Sequence, residues 1–105
     1  MGEDILKAAG ITCRTTRHTR PPSGTYGVIM DDVEADGADG VVLFYRHETT
    51  LELYEPQPDP EAEERLESEL DARGLMWSKQ DRYWLEDRQR YQVVYEFSYI
   101  TKKRR

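Results

Sequence analysis

The sequence predicts an α+β fold, a mostly antiparallel sheet with two helices packed on one face, in the order α-β-β-β-α-β-β-β. Three observations carry that expectation. From Tyr91 to Ile100 the chain alternates at period two, with Tyr91, Val93, Tyr95, Phe97 and Tyr99 on one face, the pattern of a long strand lying under a helix. Asp59-Pro60-Glu61 sets an N-cap, a first-turn proline and a first-turn acid in the preferred order. Ala62, Leu66 and Leu70 then recur every four residues up to Gly74, the thin apolar stripe of a charged helix that packs by one edge.

The remaining elements follow in chain order. Ile5 to Ala9, with Glu3 and Asp4 in the first turn and Gly10 as the stop, reads as a short opening helix. Residues 12–24 lack an apolar period and end in Pro21-Pro22-Ser23-Gly24, which reads as loop. Tyr26 to Met30 is a first strand, and Asp31 to Gly40 an acidic, mobile loop whose one core residue is Val33. Val41 to Arg46 and Thr50 to Tyr54 read as two strands separated by a turn at His47-Glu48-Thr49. Leu75 to Lys79 and Tyr83 to Leu85 are short strands joined through Gln80-Asp81-Arg82, ahead of the long last strand.

Length and composition bound what such a fold can do. At 105 residues the chain makes a single domain, 1–105, that buries roughly 60–65% of its unfolded surface and has no room for a large enclosed cavity. Charged residues make up 34% and hydrophobic ones 37%, yet nine Tyr and Phe plus two Trp give it enough to fold around. No run approaches the ~20 apolar residues of a membrane span, and Met1-Gly2-Glu3-Asp4 does not open a signal peptide. The lone Cys13 excludes an internal disulfide and a thiolate-cluster zinc site, and suits a reducing, cytosolic setting.

The net charge of −6 conceals a strong segregation. Between Asp31 and Asp71 lie fifteen acids against two arginines, Arg46 and Arg65. Basic residues gather at Arg14, Arg17 and Arg20 and in the terminal Lys102-Lys103-Arg104-Arg105. The tail 102–105 reads as a disordered end or as an arm docking on an acidic neighbour. Complementary patches on one chain allow identical subunits to meet head to tail, in rings or filaments.

Reactive chemistry has little support. Asp32-x-Glu34-x-Asp36-Gly37 imitates the start of a calcium loop, but the twelfth position is Leu43 rather than a bidentate Glu. His18 and His47 have no partner at metal or catalytic spacing and read as surface or loop residues. Cys13, beside Arg14, lacks an orienting base and reads as a small half-buried residue. No phosphate-cradling glycine loop or nucleophile elbow occurs. The expectation is therefore no enzyme, no cofactor and no metal, and the acidic total argues against sequence-specific nucleic-acid binding.

Laid out in this way, the chain resembles a family of small neck proteins of long-tailed bacteriophages and prophages, mainly of Gram-positive bacteria, called tail completion, tail terminator or head-tail joining proteins. The resemblance rests on Ala8-Ala9-Gly10-Ile11, the proline segment before Tyr26-Gly27-Val28, Leu51-Glu52-Leu53-Tyr54, Pro58-Asp59-Pro60-Glu61-Ala62-Glu63 and Leu70-Asp71. Its most specific parts are Trp77-Ser78-Lys79, Arg82-Tyr83-Trp84-Leu85 and Tyr91-Gln92-Val93-Val94-Tyr95-Glu96-Phe97. Here 31–40 is more acidic, and 14–20 more basic, than the family leads one to expect.

The resemblance implies a structural virion protein, assembled in the host cytoplasm, that forms a ring, commonly a hexamer. Such a ring joins the major tail tube protein to the neck and head-closure proteins, while the genome passes through its channel without specific binding and no membrane is involved. Arg14, Arg17 and Arg20 would then meet Asp31, Asp32, Glu34, Asp36 or Asp39 of the next subunit, or the acidic segment would line the channel. An adjacent head-completion neck protein, or a small adaptor or regulatory protein binding a partner through a sheet edge, is the alternative.

Overall fold

A computed structural model describes residues 2–13 and 23–102. Its elements are α1 (Gly2–Ala8), β1 (Thr12–Cys13), β2 (Tyr26–Ala38), β3 (Val41–Glu55), α2 (Pro60–Ala72), β4 (Trp77–Lys79), β5 (Tyr83–Leu85) and β6 (Arg90–Lys102). The order is the expected one. The strands form one sheet in the order β1-β2-β3-β6-β4, with β5 also pairing with β6. Among the described strands the pairings are antiparallel except β1 with β2. None of the described helices is long and apolar enough to cross a membrane.

The period-two and period-four patterns converge on one core. Ile5 and Leu6 of α1 and Ala62, Leu66 and Leu70 of α2 pack with Leu51 and Leu53 of β3 and Val93, Tyr95 and Phe97 of β6. Both helices thus cover the same sheet face, as a half-buried antiparallel sheet requires. Asp59 fixes where α2 starts: its Oδ1 accepts from the Ala62 backbone N–H at 3.2 Å, and its Oδ2 accepts from Thr25 Oγ1 at 2.6 Å, tying the helix to the residue before β2. Asp59→Ala is expected to lose about 1–2 kcal/mol in urea unfolding, with Asn retaining most of the cap; an unmoved Ala midpoint would refute this.

Three local expectations are corrected. The segment Asp31 to Gly40 is no mobile loop: β2 runs through it to Ala38, and Asp39-Gly40 closes a two-residue hairpin. Both turn residues have positive φ, 55° and 73°, the geometry that an Asp-Gly pair supplies best. The acids do not oppose a strand here, because neither face of it is buried. Residues 47–49 are no turn but the middle of β3, with Asp31, Asp32 and Val33 on one side and Phe97, Ser98 and Tyr99 on the other. Thr12 and Cys13, read as loop, form a short strand beside Tyr26 and Gly27. At the chain end β6 includes Lys102, so the tail begins inside a strand.

Candidate assembly surface

Burial of the helix-covered face ends at Thr49 and Phe97, yet the sheet continues. From there β2, β3 and β6 run on as a three-stranded arm, which helps to make the long axis of the molecule 50 Å against 29 and 22 Å. Among the described residues eight large hydrophobics are exposed; Val33, Val41, Leu43 and Ile100 lie on this arm and Met30 at its root. Among the described residues no core lies beneath this single sheet layer, which makes it an unusual place for them.

A cross-strand cluster stiffens the arm. His47 Nδ1 lies 2.9 Å from Asp31 Oδ2, and since a carboxylate only accepts, Nδ1 carries the proton. Its Nε2 lies 2.9 Å from Thr101 Oγ1, so one imidazole links β2, β3 and β6. Thr49 Oγ1 donates to Asp31 Oδ1 at 2.8 Å, and Tyr99 stacks on the imidazole with centroids 4.3 Å apart. Burial, then the Asp31 charge, pushes the Tyr99 hydroxyl above its ordinary pKa, against a hydrogen bond with Thr49. His47 is thus a half-buried strand residue with two side-chain partners, where its spacing had suggested a surface or loop residue.

The structure divides the five acids expected at a subunit contact. Asp31 is held by His47 and Thr49, while Glu34 and Asp36 both face Arg46 across the hairpin. Asp32 and Asp39 form no ion pair among the described residues. Arg14, Arg17, Arg20 and His18 lie outside the described residues. Cys13 is half-buried, and burial, then the Glu3 charge, raises its thiol pKa, which opposes thiolate chemistry.

A second cluster, missed in the sequence, lies between α2 and the β4–β5 turn. Arg82 bridges two buried carboxylates, Nε to Glu55 Oε1 at 3.2 Å and a terminal nitrogen to Glu63 Oε2 at 2.6 Å. Lys79 Nζ reaches Glu63 at 2.9 Å and Glu67 at 2.7 Å, and the Tyr95 hydroxyl donates to Glu67 at 2.7 Å. Three carboxylates therefore meet two cations. Glu55 is 0% exposed, and among the described residues no donor reaches its Oε2. Burial, then the adjacent Glu63, pushes the Glu55 pKa up to about 7 despite Arg82. Burial opposes ionisation of Glu63 too, but hydrogen bonds from Glu55, Arg82 and Lys79 hold its pKa below the ordinary value.

No protein-family model and no curated protein matches the sequence. Among solved structures, the chain is similar to one in the virion of a native gene transfer agent particle, with a TM-score of 0.65 and 14% identity, over 94% of this chain and 84% of that chain. At that identity the likeness is one of fold.

Proposed function

We propose that the chain is a structural virion protein that forms a ring, a hexamer in the commonest arrangement, at the head-proximal end of a phage tail and joins the tail tube to the neck. The observation that carries this reading is the arm, a three-stranded extension that among the described residues has no core beneath it and holds four of the eight exposed large hydrophobics, which fits a subunit whose remaining burial lies between chains. The shared fold with a chain of a gene transfer agent virion supports it, as does the sequence resemblance to tail completion and tail terminator proteins. Its partners in this role are copies of itself, the tail tube and the head-closure components, with DNA passing through the channel.

Charge then selects the contact. With Asp31, Glu34 and Asp36 engaged within the chain, Asp32 and Asp39 are the acids left for Arg14, Arg17 or Arg20 of the next subunit. Light scattering and negative-stain imaging are expected to show a ring that weakens as salt rises. Arg17→Glu with Arg20→Glu should abolish assembly, and adding Asp32→Lys with Asp39→Lys should restore it. Unchanged assembly in the doubly reversed arginine chain would remove this contact; a strict monomer even on tail-tube ends would remove the ring.

A further inference from the structure

Among the described residues the arm has two open sides. β2 pairs with β1 only at Tyr26 and Gly27, so among the described residues no strand lies outside β2 from Val28 to Ala38. At the far side β5 covers β6 at 90–92 and β4 covers it at 95–97, leaving Ser98 to Lys102 without an outer partner among the described residues. Among the described residues each edge thus lacks an outer strand, and such edges are ones that folded proteins normally shorten, cover or guard with charge.

The guarding charges differ in sign. Asp31, Asp32, Glu34 and Asp36 line β2, whereas β6 ends in Lys102, the first residue of Lys102-Lys103-Arg104-Arg105. Two β2 edges would repel each other, and so would two β6 edges, while a β6 edge against a β2 edge brings unlike charges together. Apolar groups stand at both, Met30 and Val33 on β2 and Ile100 on β6. Both strands are antiparallel to β3 and so run in the same direction, which gives every copy one edge of each kind facing opposite ways.

We infer that the sheet continues from copy to copy, the β6 edge at Ser98–Lys102 of one chain hydrogen-bonding to the β2 edge at Met30–Asp36 of the next. The inference rests on the ring reading above and names its contact. Because the two edges are different surfaces, the pairing is heterologous and propagates around a ring rather than stopping at a dimer.

Cysteine cross-linking tests it in a Cys13→Ser background. Val33→Cys and Glu34→Cys place a thiol on either face of the β2 edge, and Thr101→Cys and Ser98→Cys do so on β6. Within one chain these edges lie two strands apart, about 10 Å, too far for a disulfide. Oxidation should leave each single variant uncross-linked, give a covalent dimer from a mixture of a β2 and a β6 variant, and give a ladder from a chain carrying both. A β2 variant that cross-links to itself would overturn the pairing. Rings that persist in light scattering while no mixture cross-links would overturn the edge contact and spare the ring; no association at all would remove both.

Discussion

Glu55→Gln is expected to leave stability at pH 5 nearly unchanged and to raise it by roughly 2–3 kcal/mol at pH 8, read as the difference from wild type in urea unfolding at each pH. The sign follows from where the proton sits. In the folded chain Glu55 holds its proton to about pH 7, against an ordinary value of 4.5 that applies once the chain unfolds. Between those values the folded state binds more protons than the unfolded one, so stability falls as pH rises through that window and levels off above it. The Gln amide copies the protonated acid: its oxygen accepts from Arg82, its nitrogen donates to Glu63, and it brings no charge to the fully buried site. Glu63 works in the opposite sense. Its pKa is lowered, so its contribution is present above 4.5 and is lost as pH falls through its folded value. A gap between the two chains that stays constant from pH 5 to 8 would show that Glu55 is ionised in the folded protein throughout.

That cluster also shows what sequence patterning can reach. Period-two and period-four apolar spacing located β6, α2 and the residues that meet in the core, because burial on one face leaves a periodic trace. Glu55, Glu63 and Arg82 leave none, since 55, 63 and 82 belong to a strand end, a helix and a turn brought together by packing. The arm fails for another reason. Its two faces are both solvated, so no hydrophobic alternation announces β2 beyond Met30 or keeps β3 intact through His47-Glu48-Thr49. One signal was available in Asp39-Gly40. A two-residue turn there, counted backward and forward with one bulge, sets Asp31 opposite Thr49 and Val33 opposite His47. The ion pairs of Arg46 and the His47 cluster follow from that register. The acids that composition alone assigned to a partner are therefore in part the hairpin's own cross-strand partners.

Gly37→Ala should separate the arm from the body. The register shifts between Asp36 and Gly37, where Leu43 is the extra residue of β3, and a Cβ built on Gly37 falls 1.9 Å from the Val41 carbonyl oxygen and 2.9 Å from the Leu43 nitrogen. Both are backbone atoms, so no side-chain rotamer relieves the clash and the strands must part by more than an ångström. The last rungs, Gly37 with Val42 and Ala38 with Val41, then open. Losing about two net hydrogen bonds costs about 2 kcal/mol locally, which raises amide exchange at the hairpin tip roughly thirtyfold. The same 2 kcal/mol comes off the global stability, so the thermal midpoint should fall by roughly 10 °C, while the body, which contributes the core residues, still unfolds in one cooperative step. Gly40→Asn, at a left-handed position where nothing lies within 4 Å of an added Cβ, serves as the control and should assemble normally. Light scattering should find the Gly37→Ala chain folded and unable to form rings, because the β2 edge that meets the next copy loses its straight backing from β3. Rings of normal stability built from a chain with an opened tip would mean that subunits meet through the body, and the exposed apolar residues of the arm would then have to face the tail tube or the neck instead.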